Sequence, residues 1–263
     1  MVKKYDLNEA FIFLDEVGFT KDWWRAIKYL IDTGELLNTV TTVTSSVSIK
    51  FKGEIELFPG RRGYGETVVA YPLSFREYIS VLKPELNGKI VSAKSMDELR
   101  NVIELNMRYY SELKILFEKY LETGGFPLTI REFYSTKNVS YKTVENYLIW
   151  IENDILKAGR STDLARQIIG TLLEKIPSTV SYDTIARQTD ARSHKTVAAY
   201  INLFKNMYIL DILYAYDPSR RTEQYRKEKK IFLTDPLLFK IFSYWCLREY
   251  NYSALLENTV QSH

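Results

Sequence analysis

The sequence has few of the residues that metal sites, disulfides and hydrolytic triads require. Its 263 residues include a single cysteine, Cys246, and two histidines, His194 and His263. Neither histidine has a second ligand at a metal-binding spacing, and one cysteine cannot form an internal disulfide. The apolar neighbours of Cys246 predict a place in the core. A Ser-His-Asp triad is not indicated, because the sequence contains no Gly-x-Ser-x-Gly elbow.

Long apolar runs are also missing. No run approaches the about 18 residues that cross a membrane, and no charged-then-apolar leader opens the chain. These absences predict a cytoplasmic protein without membrane contact. The net charge is only +3, yet residues 160–240 hold 14 Lys and Arg against 9 Asp and Glu. A polyanionic partner is therefore expected to bind the later half of the chain.

The first strong pattern is an apolar run, Ala10 to Leu14, followed at once by Asp15 and Glu16. Uninterrupted apolar character predicts a strand buried on both faces. An amphipathic helix is predicted over 23–31 and a second strand over 39–48. This order is typical of a parallel strand-helix-strand crossover.

The rest of the chain is predicted to be mainly helical. Ser74 and Glu77 have the spacing of a capping box, and a helical pattern over 97–122 stops at Gly124-Gly125. Further helices are predicted over 142–157, 163–175, 182–188 and 193–205, and strands over 209–216 and 229–233 with a polar, basic loop between them. Three helices followed by a two-stranded ribbon is winged-helix order. We therefore predict an α/β fragment of a P-loop NTPase sheet, then a helical region and a winged-helix domain, mostly α overall.

An Asp-Glu pair at the carboxyl end of a strand suits magnesium-nucleotide chemistry, because open α/β sheets bind ligands at that edge. The alternative is that both acids are the solvated end of a strand.

Several segments together resemble the archaeal AAA-type P-loop ATPases that carry a winged-helix region. The resemblance covers most of the chain and lies in these segments: Phe11-Ile12-Phe13-Leu14-Asp15-Glu16, Thr44-Ser45-Ser46, Leu57-Phe58-Pro59-Gly60-Arg61-Arg62-Gly63, Pro72-Leu73-Ser74-Phe75-Arg76-Glu77 and Gly124-Gly125-Phe126-Pro127.

The resemblance implies ATP and Mg²⁺ as cofactors and a role for each matching residue. Asp15 would hold Mg²⁺ through water and Glu16 would be the catalytic acid. Thr44, Ser45 and Ser46 would sense the nucleotide, although Val43-Thr44 stands where the family has Thr-Gly. Arg61 and Arg62 would be arginine fingers, and the alternative is an ordinary basic turn.

A phosphate-binding loop is not found. None of the 11 glycines begins a Gly-x₄-Gly-Lys-Ser/Thr motif, and nine residues precede the first strand. The nucleotide site is therefore expected to be incomplete and the chain alone inactive, without tight cofactor binding. Either the chain is a fragment of a longer ATPase or it is an independent protein that has lost hydrolysis. A non-enzymatic DNA-binding or regulatory protein and a remnant without selected function remain alternatives.

The predicted parts are an ATPase core over 1–80, a helical lid-like region over 81–160, a winged helix over 161–240 and the start of a carboxyl-terminal region over 241–263. DNA is a candidate partner of the winged helix, and other copies or an upstream ATPase segment are candidates too. The candidate DNA contacts lie at a helix start and in the wing: Arg192, His194, Lys195, Arg220, Arg221, Arg226 and Lys227. The alternative is a protein-packing module with a solvated charge run.

Overall fold

A computed structural model describes residues 10–46, 65–249 and 251–263. The described chain is mostly helical with two small sheets, as predicted. None of its helices is both long and apolar enough to cross a bilayer.

The first unit is a strand-helix-strand crossover. Strand β1 (Ala10–Leu14) and strand β2 (Thr39–Val43) pair in parallel, and helix α1 (Trp23–Asp32) connects them. Trp23 and Ile27 of α1 are buried against one face of the pair. The predicted parallel crossover is therefore confirmed, and residues 47 and 48 of the predicted second strand lie outside the described ranges.

The prediction that the first strand is buried on both faces is wrong for the described part of the chain. Phe11 and Phe13 are 70% and 74% exposed. Side chains alternate between the two faces of a strand, and α1 covers only the face of Ile12 and Leu14. A continuous apolar run therefore does not by itself establish a second covering layer.

The helical part begins at the predicted capping box. The Ser74 side chain accepts a hydrogen bond from the Glu77 backbone N–H, and the Glu77 carboxylate accepts one from Ser74 N–H. The helical pattern over 97–122 is divided by a 3₁₀ turn at Met107–Tyr109. The helices of this part are α2 (Phe75–Leu82), α3 (Leu99–Asn106), α4 (Tyr110–Thr123), α5 (Pro127–Thr136) and α6 (Tyr141–Lys157).

Three further helices precede a long antiparallel ribbon. These are α7 (Thr162–Lys175), α8 (Tyr182–Arg187) and α9 (His194–Asn206), followed by β4 (Leu210–Asp217) and β5 (Thr222–Leu233). A short strand that the pattern did not predict, β3 (Thr179–Val180), pairs with β5, so the sheet order is β3-β5-β4. The starts of α6, α7, α8 and α9 are fixed alike, because each has a serine N-cap whose side chain accepts a backbone N–H from the first turn: Ser140, Ser161, Ser181 and Ser193.

The main hydrophobic core extends from Leu121 to Leu255. Helix α10 (Pro236–Cys246) lies at its centre and packs against α4, α6 and α7, and helix α11 (Tyr252–Ser262) packs against β5. Cys246 packs against this core as predicted, and burial raises the pKa of its thiol to about 11. The predicted domain limits stay predictions, and the core crosses two of them.

A buried joint connects the start of α2 to the centre of the core. Leu73 N–H donates to the Gly125 carbonyl (2.9 Å), and Tyr120 O–H donates to the Leu73 carbonyl (2.9 Å). Gly125 N–H donates to Oδ2 of Asp235, which is 1% exposed and caps α10 (2.7 Å). Three segments far apart in sequence are thus held together by backbone groups, the Tyr120 hydroxyl and one buried carboxyl. This set of contacts is here called the Gly125 joint.

Candidate nucleotide site and basic ribbon

The two predicted polar clusters of the α/β unit lie beside each other. Strands β1 and β2 run parallel, so Asp15 and Thr44, which follow them, meet at one edge of the sheet. Thr44 O–H donates to Oδ1 of Asp15, and Glu16 N–H donates to Oγ1 of Thr44 (3.2 Å). The Walker B acid and the sensor segment implied by the resemblance therefore share a hydrogen-bonded edge.

Glu16 is held by the same edge. Its backbone has the left-handed conformation (φ 55°), and Oε2 accepts from Ser46 N–H (3.3 Å) and Ser46 O–H (3.1 Å). Ser45 lies between Thr44 and Ser46 in the same short segment. Both carboxylates are exposed, so a solvent-borne ligand has access to them.

The two predicted arginine fingers, Arg61 and Arg62, lie outside the described residues. Across residues 10–46, 65–249 and 251–263, no three His, Cys, Asp or Glu side chains are grouped as a metal site. The role of Asp15 in holding Mg²⁺ through water stays a prediction.

The predicted helix-start residues lie together at the beginning of α9. Arg192, His194 and Lys195 are exposed and flank the N-cap Ser193. Nδ1 of His194 lies 3.5 Å from Oδ1 of Asp183 in α8. A polyanion approaching this end of α9 meets basic side chains and the positive end of the helix dipole.

The four predicted wing residues are exposed but occupy two different places. Arg220 and Arg221 lie in the turn between β4 and β5, whereas Arg226 and Lys227 lie within β5. The predicted loop is thus largely strand, because β5 begins at Thr222. Tyr214 pairs with Lys229 and Ala215 pairs with Gln224, so residues 225–228 form a bulge without partners in β4.

Sequence reasoning missed the buried carboxyl of the Gly125 joint. Burial raises the pKa of Asp235 to about 7, and the hydrogen bonds from Gly125 and Leu237 oppose that rise. The available signal was local: an Asp directly before a Pro is a common helix start. Its contact with Gly125, 110 positions away, has no signal in a single sequence.

A cavity of about 600 Å³ lies between the start of α6 and the end of α10, away from both candidate sites. Its two basic residues already have carboxylate partners, since Lys240 pairs with Glu122 and Arg248 with Glu174. The lining residues are Tyr141, Val144, Lys240, Ser243, Tyr244, Leu247, Arg248 and Glu249.

Comparison with protein families gives two matches on separate parts of the chain. Residues 1–79 match an AAA domain, and residues 114–243 match a domain of unknown function (DUF8612). The first match includes the edge formed by Asp15, Glu16, Thr44 and Ser46. The second includes α5 to α9, the ribbon and most of α10.

An uncharacterized protein of Haemophilus influenzae is 25% identical over 218 residues, which cover 80% of this chain and 47% of the relative. The chain thus spans about half the length of the curated relative it matches. No solved structure matches significantly. The AAA-domain match supports similarity to an AAA-type ATPase-like family for residues 1–79.

Proposed function

We propose that this chain is part of an AAA-type ATPase that couples the state of a nucleotide to a DNA-binding winged helix. The observation that carries the nucleotide half is the hydrogen-bonded edge at which Asp15 and Glu16 meet Thr44 and Ser46. Acidic and hydroxyl groups at the carboxyl ends of neighbouring parallel strands are the arrangement that Mg-nucleotide sites use.

The residues present fit one half of a nucleotide site. Asp15 would hold a hydrated Mg²⁺, which neutralises phosphate charge when bound, and Glu16 would orient the attacking water. The sequence contains no Gly-rich loop with its lysine. We therefore propose that the phosphate-binding half is supplied by protein outside these 263 residues, from an upstream segment or another chain.

Nucleotide binding tests this proposal. We expect the 263 residues alone to bind a fluorescent ATP analogue with Mg²⁺ weakly or not at all. The same residues joined to an upstream segment that carries a phosphate-binding loop should bind it and hydrolyse ATP. In that longer protein, Glu16→Gln should retain binding and reduce hydrolysis by about 100-fold or more. Tight binding by the 263 residues alone, or full hydrolysis by the Gln variant, would contradict the assigned roles.

The order of α7, β3, α8, α9, β4 and β5, with the sheet order β3-β5-β4, supports the winged-helix half of the proposal. In this arrangement α9 is the recognition helix and the β4-β5 ribbon is the wing. Basic side chains lie at the start of α9 and along the β4-β5 ribbon. A regulatory DNA-binding protein without ATPase activity is the second candidate, favoured by the same ribbon.

Reversing the charge of the wing should weaken DNA binding. We expect a quadruple Glu variant at Arg220, Arg221, Arg226 and Lys227 to bind DNA with a weaker salt dependence. The negative slope of log K against log salt should become shallower by about 3 to 4 units, because each phosphate contact contributes about 0.9. A control variant with the same charge change replaces four exposed cations of the helical region with Glu: Lys94, Lys114, Arg131 and Lys142. Equal salt slopes for wild type and wing variant in anisotropy titrations would remove the wing from the interface.

A further inference from the structure

We infer that the ribbon carries a row of tyrosine rings that stacks with the unpaired bases of single-stranded DNA. This inference rests on the proposed DNA-binding role of the ribbon and names the form of DNA it prefers. The row consists of Tyr214 and Tyr216 in β4 and Tyr225 in the bulge of β5.

The geometry brings the three rings to one part of the ribbon. Tyr214 and Tyr216 are two residues apart, the spacing of side chains that share a face of a strand. The ring centroids of Tyr214 and Tyr225 are 4.8 Å apart, with an angle of 72° between the ring planes. The bulge makes this contact possible, because it removes residues 225–228 from the regular ladder.

The outer rings are open to solvent. Tyr216 is 59% exposed and Tyr225 is 63% exposed. The apolar faces of these rings are less favourable in water than in contact with another apolar surface. Each face is flat and about the size of a nucleobase. Two such rings beside basic side chains therefore favour a ligand with accessible bases.

Tyr214, the inner ring of the row, packs beside a buried side chain. Lys229 is buried, and its Nζ lies 4.6 Å from the ring centroid of Tyr182 and 5.9 Å from that of Tyr214. The same amine donates to the Lys227 carbonyl (2.8 Å). Lys229 thus packs against one side of Tyr214, and Tyr225 packs against Tyr214 in turn. Stacking a nucleobase on these rings therefore requires little additional ordering of their side chains.

The charges beside the row favour a polyanion, because the cations of residues 217–230 outnumber the acids: Arg220, Arg221, Arg226, Lys227, Lys229 and Lys230 against Asp217, Glu223 and Glu228. Asp217 accepts hydrogen bonds from Ser219, Arg220 and Gln224, and Glu228 accepts one from Thr179. The remaining acid, Glu223, interacts with the hydroxyl of Tyr225. The basic side chains of Arg221, Arg226 and Lys227 are exposed, and so is Arg220, whose Nε lies 4.0 Å from Oδ2 of Asp217.

Stacking distinguishes single strands from duplexes. In a duplex the faces of the bases are covered by their neighbours, so only phosphates and groove edges are available to the ribbon. In a single strand the cations bind phosphates while the aromatic rings stack on bases, the combination found in proteins that bind single strands. Stacking by the tyrosine row is therefore available to a single strand and not to a duplex.

The test compares the affinity for single-stranded and duplex DNA of about 20 nucleotides per strand. Replacing both Tyr216 and Tyr225 with Ala should weaken single-strand binding by about tenfold for each ring lost and leave duplex binding unchanged. The matched Phe double variant keeps both rings and should bind as the wild type does. Tyr141→Ala removes a ring that is 78% exposed on α6 and should change neither affinity.

Photo-crosslinking gives a readout that does not depend on the variants folding. A single strand containing 5-iodouracil should crosslink to Tyr216 or Tyr225 of the wild-type protein, as identified by mass spectrometry. Crosslinks only elsewhere, an unchanged affinity of the Ala variant, or equal weakening for single strands and duplexes would overturn the stacking role while duplex binding by the wing stands. If the wild type binds neither form of DNA, the inference and the proposed DNA-binding function fall together.

Discussion

Replacing Gly125 with alanine is expected to lower the free energy of unfolding by about 3 kcal/mol or more. A Cβ at this position would lie 2.0 Å from the carbonyl oxygen of Leu73 and 2.5 Å from its nitrogen. Backbone atoms cannot rotate away as a flexible side chain can. The clash is relieved only by breaking the hydrogen bonds that Leu73 makes with Gly125 and Tyr120, so the Gly125 joint would open.

Other glycines of the chain supply matched controls for this variant. Gly159 has a positive φ of 71°, and a Cβ there would meet no atom within 4 Å, so Gly159→Ala should cost about 1 kcal/mol for backbone strain alone. Gly170 lies within α7, where a Cβ would have its nearest neighbour at 3.5 Å, so Gly170→Ala should be neutral or slightly stabilising. Urea unfolding followed by circular dichroism measures all three. A Gly125→Ala variant no less stable than Gly159→Ala would show that the joint is not a close backbone contact.

The elements that the sequence predicted well are those with a strong local pattern. The crossover of β1, α1 and β2 follows from two apolar runs around an amphipathic segment, and the capping box at Ser74 is a four-residue motif. The meeting of Asp15 with Thr44 was also predictable, because parallel strands end at the same edge. The open face of β1 was not, since burial depends on which other elements are present to cover it.

The elements that the sequence does not predict have ambiguous local signals. The pattern places Pro127 just after a helix, whereas it also occupies the first turn of a new one, α5, where its missing N–H costs nothing. The apolar pattern starts the last strand at residue 229, whereas β5 begins at Thr222, because its first half is polar and exposed on both faces. The contact of Tyr214 with Tyr225 depends on a bulge, and a bulge is set by pairing rather than by composition.

Stability should fall as the pH rises from about 5 to 8 because of Asp235. Burial raises the pKa of this carboxyl from 3.8 to about 7 in the folded chain. A raised folded-state pKa means that the native state favours the protonated carboxyl. The resulting contribution is fully present below the unfolded pKa near 3.8 and is lost as pH rises through the folded pKa near 7. The loss between pH 5 and pH 8 is on the order of 2 to 3 kcal/mol.

Asp235→Asn isolates this titration from those of other groups. The amide is nearly isosteric and does not ionise, but its NH₂ faces one of the two backbone N–H donors, from Gly125 or Leu237. The variant should therefore be less stable than the wild type at pH 5, by about 1 to 3 kcal/mol for one unpaired donor. The difference in free energy of unfolding between the two proteins should narrow towards pH 8, where the buried carboxylate destabilises the wild type.

The measured quantity is the difference in free energy of unfolding between wild type and Asp235→Asn at several pH values. Asp211→Asn is a suitable control, because Asp211 is half-exposed and pairs with Lys205 at 2.6 Å on the surface. Its difference from the wild type should stay small across this pH range. A gap for Asp235→Asn that widens with pH would mean that the two backbone hydrogen bonds outweigh burial. Asp235 would then be an ionised cap of α10 that stabilises the joint through its charge.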